Sequence, residues 1–228
     1  MYLSRVPLNP ARKGTRLFLT SPQVTHAAVM AAFPPSEPGD TTDSPSDGRV
    51  LWRIDRTDNN IHLYVVSPHR PDFTHVVEQA GWPTTSAWAT RDYRDLLNDL
   101  AVGQRWHFRL TANPVRRAMD RDRNDPTERG KTVGLDSTGQ LHWLQRKAAD
   151  HGFELGQVVS GDGKEPDVII TDRRSVTFQR RTHTVALSTA TFEGTLEVTD
   201  PHRLRAALIG GIGRAKGYGC GLLTLAPV

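Results

Sequence analysis

Between Gly210 and Gly221 the chain reads GGIGRAKGYGCG, six glycines in twelve residues, lying between a helix start and an apolar terminal run. Neither a helix nor a strand tolerates that glycine density, because each glycine loses the most backbone freedom on ordering and leaves no side chain to pack. Upstream, "DPHRLRAALIGG" offers Asp200 as N-cap and Pro201 at the first helical position, so a helix is predicted that ends at glycine. Downstream, "GLLTLAPV" predicts a final strand. The glycines therefore form a turn that leads from a helix into a strand. Two readings of it stand open. One is a helix cap followed by a tight turn. The other is a phosphate contact, in which bare backbone N–H groups approach an anion and Arg214 and Lys216 add charge; Gly211, Gly213 and Gly217 are then its backbone contacts. A phosphate-binding loop of the NTPase kind needs G-x-x-x-x-G-K-[ST] opening a helix, and a dinucleotide fingerprint must follow a strand. Neither pattern is present.

The rest of the chain supplies alternating short elements. Tyr2–Leu8 reads as a strand. Ser21 as N-cap with Pro22 after it predicts a helix through "QVTHAAVMAAF", stopped before Pro34 and Pro35. A loop is predicted from Pro34 to Gly48, and strands at "RVLWRI" and "IHLYVV" across the turn-rich "DRTDNN". Helical pattern returns at Arg91–Leu100. In "QRWHFRLTANP", Trp106, Phe108 and Leu110 alternate with polar residues, the period of a strand. A charged loop follows, then an amphipathic helix over "TGQLHWLQRKAADHG" with Leu141, Leu144 and Ala148 on one face and Gly152 beyond its end. Strands are expected at Gly152–Ser160, Val168–Gln179 and His183–Val198. Both halves read strand, helix, strand, strand, and the second continues into helix and strand. That is the order of the ferredoxin-like fold. An α+β protein of two tandem ferredoxin-like domains is predicted, over residues 1–98 and 99–228.

Charge is uneven. Lys and Arg number 29 against 25 Asp and Glu, a net charge of only +4, yet no acid occurs before Glu37, while Arg5, Arg12, Lys13 and Arg16 do. Basic residues gather again at Arg116, Arg117, Arg121, Arg123, Arg129 and Lys131, at Arg173, Arg174, Arg180 and Arg181, and at Arg214 and Lys216. Solvated faces account for any one cluster; several that meet on one surface would attract a polyanion. Cys220 is the single cysteine, so no intrachain disulfide can form. No apolar run reaches the roughly 18 residues a membrane span needs, and the opening segment reads as a strand with a charge in it. A cytoplasmic protein that makes no membrane contact is expected.

The nine histidines include no pair at the i, i+4 spacing of a helical zinc motif. Asp120, Asp122 and Asp125 are interleaved with Arg121 and Arg123, which would neutralise them as a magnesium cage. Chemistry without a metal or cofactor is expected. His26 falls near the start of the helix capped by Ser21, where the dipole disfavours imidazolium and keeps a neutral base available near pH ~7. A solvated or structural role is the ordinary reading of such a histidine, and position alone does not decide between the two.

Six blocks in order resemble the CasE-type CRISPR repeat endoribonucleases over essentially the whole chain. They are "MYLSRVPLNP", "SPQVTHAAVMAAFP", "FRLTANP", "HWLQRKAADHGF", "FEGTLEVTDP" and "GIGRAKGYGCGLLTLAP". The resemblance implies two tandem ferredoxin-like domains, a repeat RNA stem-loop bound alongside, and cleavage at the base of the stem without a metal. The 2′-hydroxyl attacks the adjacent phosphorus and leaves a 2′,3′-cyclic phosphate and a 5′-hydroxyl. It also implies retention of the mature crRNA within the Cascade complex, beside that complex's other subunits, and a monomer when free. His26 falls on the family's catalytic histidine, as base or as acid. Some members carry a Tyr three residues before it and a Lys five residues after it; here those positions are Gln23 and Ala31. Arg214 and Lys216 are the candidates to replace that cation, and a catalytically silent RNA-binding subunit of the same fold is the alternative. The loop Arg116–Lys131 and the pair Arg180–Arg181 are expected to grip the stem through its backbone, because the deep major groove of A-form RNA admits few side chains.

Overall fold

The structure is a computed structural model that describes residues 1–34, 48–58, 60–85, 87–117, 132–161, 163–180 and 183–228. The first half runs β1 (Tyr2–Leu8), α1 (Lys13–Thr20), α2 (Pro22–Met30), β2 (Leu51–Arg56), β3 (Ile61–Ser67), α3 (Thr74–Ala80), β4 (Ala89–Asp92) and α4 (Arg94–Asn98). Its strands form one antiparallel sheet in the order β2-β3-β1-β4. Alternation sets the faces: Ser4, Val6 and Leu8 are buried on β1, and Ile61, Leu63 and Val65 on β3. Val6 stands opposite Leu63 in the register, so the buried sets coincide.

The second half runs β5 (Arg105–Ala112), the paired short strands β6 (Val115–Arg117) and β7 (Thr132–Gly134), α5 (Ser137–Asp150) and β8 (Phe153–Leu155). It continues through the small hairpin β9 (Gln157–Ser160) with β10 (Gly163–Pro166), β11 (Val168–Arg180), β12 (His183–Val198), α6 (Pro201–Gly210) and β13 (Leu223–Pro227). The main sheet has the order β11-β12-β5-β13, with β8 also on β12. In both sheets the first and third main strands are the central pair, flanked by the second and fourth. This is the predicted ferredoxin-like arrangement, present twice.

The predicted caps Ser21 and Asp200 are in place, and Asp136 caps a third helix. Ser21 accepts from the Val24 N–H, Asp136 from the Gly139 N–H, and Asp200 from the N–H groups of His202 and Arg203. Two helices escaped the sequence reading. Helix α1 has no acid in its first turn and no side-chain cap. Helix α3 starts where Asp72 accepts from the Thr74 N–H, a short Asx turn that no longer apolar period reinforces. The single strand expected over Gly152–Ser160 is two, because the Gly156 N–H turns to the Thr195 carbonyl and its own carbonyl takes the Asp167 N–H.

The apolar interior divides in two. The smaller cluster lies within the first half around Val6, Leu63, Val65, Phe73 and Val76. The larger centres on Leu110, Leu144, Phe153, Phe192 and Leu208, but it also draws Leu51, Val66, Tyr93 and Leu97 from the first half. Each such side chain, fully buried, contributes about 1.5–3 kcal/mol. The two sheets are therefore joined through shared core.

Candidate active site and nucleic-acid interface

Helix α2 carries His26 and is fastened from both sides. Thr25 Oγ1 donates to the Phe18 carbonyl of α1 at 2.9 Å, and His75 Nε2 donates to the Ala28 carbonyl at 2.8 Å. Thr25 and Val29 are buried, Gln23 and Ala27 are exposed, and His26 between these faces is half-buried.

What the His26 ring meets is the glycine-rich turn. A Cβ added at Gly217 would lie 3.7 Å from its Cε1 and 3.8 Å from its Nε2, so the bare Gly217 backbone lies against the imidazole. The turn from Lys216 to Tyr218 is a single 3-10 turn that sits between α2 and β2. It is pinned on the β2 side by Gly219, at φ +81°, where a Cβ would stand 2.8 Å from the Trp52 ring. Two separately predicted features, a helical histidine and a glycine stretch, thus lie side by side.

A third joins them. Tyr218 meets Phe178 of β11 edge-on, with ring centroids 5.0 Å apart and planes at 67°. Phe178 is two residues from the strand's end at Arg180. The strand pair continues to Arg180 opposite His183, whereas β12 pairs with β5 only from Ala190 onward. Beyond that point β11 and β12 form a two-stranded ribbon whose end lies past the glycine-rich turn.

The other predicted residues are placed unequally. Gly211 is buried, and a Cβ there would be 2.8 Å from Leu51; one at Gly213 would be 3.0 Å from Trp143. Close packing on the core accounts for both. Arg214 is exposed. Lys216 is half-buried and its ammonium donates to the Gly210 carbonyl at 2.6 Å, a cation at the C-terminal end of α6. Burial, and then the charge of Arg49, hold its pKa below the ordinary lysine value. Arg116 is exposed on β6. Arg117 and Arg180 end strands and are described as backbone only; Arg121, Arg123, Arg129, Lys131 and Arg181 lie outside the described residues.

Sequence reasoning missed the cleft between the two sheets, about 590 Å³, lined among others by Pro22, Trp52, Arg53, Arg109, Arg174 and Tyr218. It is rich in guanidinium groups; three of its four are matched, and exposed Arg56 shares the lining with Asp58. Arg53 pairs with Asp55 at 2.6 Å, Arg109 with Glu193 at 3.0 Å, and Arg174 with Asp172 at 2.7 Å. Such a cleft holds little net attraction for a polyanion. Period-two strand patterns place these residues on strands without showing which strands will face each other. Burial pushes the Cys220 thiol up to about 12, so it stays a protonated core group. Among the described residues no cluster of three or more His, Cys, Asp or Glu side chains is arranged to hold a metal ion.

The chain as a whole is similar to known proteins. The Thermus thermophilus CRISPR-associated endoribonuclease Cse3 is 29% identical over the full length of both chains. The Escherichia coli Cascade subunit CasE is 31% identical over 78% of this chain and 89% of its own. A solved structure of Cse3 bound to a 19-nucleotide RNA superposes with a TM-score of 0.76 over the whole of both chains, at 28% identity. The family model described as CRISPR associated protein matches residues 1–227, and the chain belongs to that family.

Proposed function

We propose that this protein is an endoribonuclease that cuts CRISPR repeat RNA at the base of its stem-loop and stays with the crRNA as a Cascade subunit. The observation that carries the reading is the His26 imidazole lying against the bare Gly217 backbone, in a chain that matches an RNA-bound endoribonuclease along its entire length. A glycine there keeps the part of the turn that meets the ring free of a side chain.

The reaction needs little else from the protein. A base takes the proton of the 2′-hydroxyl, and that oxygen attacks the adjacent phosphorus. The bond to the 5′-oxygen breaks, and an acid returns a proton to the leaving oxygen. The products are a 2′,3′-cyclic phosphate and a 5′-hydroxyl, and no water is consumed. His26 serves as one of the two proton carriers. Cations near the pentacoordinate phosphate stabilise its added charge; exposed Arg214 is the nearest in sequence to the turn without a bonded partner among the described residues. Residues 1–98 then form the domain that carries the catalytic histidine, and residues 99–228 the domain that binds RNA, with Arg116, Arg117, Arg180 and Arg181 as stem contacts. With such a substrate the protein works in the cytoplasm.

Incubating a repeat stem-loop with the protein in EDTA tests the proposal. Wild type releases a fragment ending in a cyclic phosphate, and His26→Ala binds the RNA and leaves it whole. RNA bound tightly but uncut by wild type would instead establish a silent RNA-binding subunit. That second reading is favoured by one observation only. Gln23, where some relatives carry Tyr, is exposed, and Ala31, where some carry Lys, is the residue that closes α2.

A further inference from the structure

A second concavity, about 670 Å³, opens on the other side of the glycine-rich turn, where the ends of α5 and α6 meet the start of β2. Its wall carries Arg49, Arg203 and Lys216 as cations, His151, and a single carboxylate, Asp150. That carboxylate is already matched by Lys147 at 2.9 Å. Arg203 reaches Asp200 at 3.4 Å, an exposed pair of the kind that holds little energy. Among the described residues neither Arg49 nor Lys216 has an ion-pair partner. The Arg49 backbone N–H is bonded to the Ile209 carbonyl at 3.2 Å, and the Lys216 ammonium to the Gly210 carbonyl next along α6, so both residues are tied to the end of one helix. Two cations on one wall without a carboxylate between them repel each other, and after burial the same repulsion contributes to the lowered Lys216 pKa. An anion between them relieves it.

His151 also lines the wall, and its Nδ1–H donates to the Lys147 carbonyl at 2.7 Å, since a carbonyl can only accept. Flat guanidinium groups with an ammonium beside them match the oxygens of a phosphate. The cleft between the sheets, with four arginines against three aspartates in its lining, has a smaller excess of charge.

We propose that this concavity is an anion site that binds a backbone phosphate of the RNA other than the one cleaved. The inference rests on the RNA-binding function proposed above. Lys216 and Gly217 are consecutive in one 3-10 turn. A phosphate held on Lys216 therefore anchors the turn whose next residue lies against His26.

The test uses a repeat stem-loop with a 2′-deoxy nucleotide at the cleavage position, so that binding is read without cutting. Arg49 and Arg203 are exposed, and Arg49→Gln with Arg203→Gln leaves the core untouched. Affinity is expected to fall about tenfold at moderate salt, and the slope of log affinity against log salt by roughly 0.7–0.9 for each phosphate no longer neutralised. The exposed Arg70, outside this wall, is the charge control, and Arg70→Gln is expected to leave the slope unchanged. Unaltered affinity and slope in the double variant would overturn the site, as would an equal loss in Arg70→Gln. Failure of wild type to cut an all-ribose stem-loop would strike the endoribonuclease reading and leave this comparison of slopes intact.

Discussion

Arg53 Nη1 on β2 donates to the Leu222 carbonyl at 2.8 Å, so a side chain of the first sheet is bonded to the backbone just ahead of the last strand of the second. The same guanidinium donates to the Arg109 carbonyl, to Thr224 Oγ1 and to both oxygens of Asp55, and the residue is only 2% exposed. Every donor is directed, and two of the acceptors are backbone carbonyls, that of Leu222 in a buried bond. Arg53→Met removes all of these bonds at once and leaves Asp55 with Arg109 alone, at 3.6 Å. The expected loss is about 3–5 kcal/mol, typical of a broken buried pair, measured by chemical denaturation. Arg53→Lys recovers little, because one ammonium cannot serve acceptors placed around a planar fork. A loss below about 1 kcal/mol, the range of an exposed pair, would show that the sheets are held by the shared core alone.

Gly217 and Gly219 are two residues apart and should respond differently to alanine. At Gly219 the positive φ and a Cβ 2.8 Å from Trp52 oppose any side chain, so Gly219→Ala costs about 1–3 kcal/mol. At Gly217 the nearest atoms an added Cβ would meet are those of the His26 ring, at ordinary van der Waals distance. Gly217→Ala keeps its melting temperature but fills the space where a phosphodiester would approach. Its single-turnover rate at saturating RNA is expected to fall by at least about tenfold, or ~1.4 kcal/mol in the barrier. An undiminished rate would mean that the phosphate reaches His26 from another side.

Much of this was legible from residue order. The Ser21–Pro22 and Asp200–Pro201 starts locate α2 and α6, since cap and first-turn chemistry is local. The alternation of Trp106, Phe108 and Leu110 locates β5 for the same reason. The resemblance singled out His26. Nothing local put His26 beside Gly217, residues separated by most of the chain, because that meeting depends on how two sheets share one core. The glycine stretch read as a phosphate cradle divides in the structure: Gly211 and Gly213 make room for Leu51 and Trp143, and Gly217 alone faces the histidine. The Arg53 network was equally hidden, since an arginine in an alternating strand reads as a solvated residue until the opposing strand is known.

His62 on β3 gives a pH dependence. Burial and the Arg5 guanidinium lower its pKa, against a smaller opposing pull from Asp55. The unfolded chain then binds the proton more readily than the folded one, so stability contributed here is complete above the ordinary histidine pKa and is lost as pH falls through the depressed value. Between about pH 8 and pH 5, wild type is expected to lose more melting temperature than His62→Gln. Parallel curves for the two proteins would assign the acid sensitivity to other groups.

The ribbon end supplies the last prediction. Arg180 stands at the final pair of β11 with β12, beyond the stretch where β12 is backed by β5, and Phe178 ties the ribbon to Tyr218 of the glycine-rich turn. Residues beyond the backed sheet contribute little to the core, so Arg180→Ala with Arg181→Ala should leave the melting temperature unchanged. Loss of two cations facing an RNA backbone should weaken stem-loop binding by roughly ten- to a hundredfold at moderate salt and flatten its salt dependence. Because the ribbon meets the turn that backs His26, the same variant tells whether the stem lies along the ribbon while its base reaches the histidine. Intact affinity with intact salt slope would place the stem on another face.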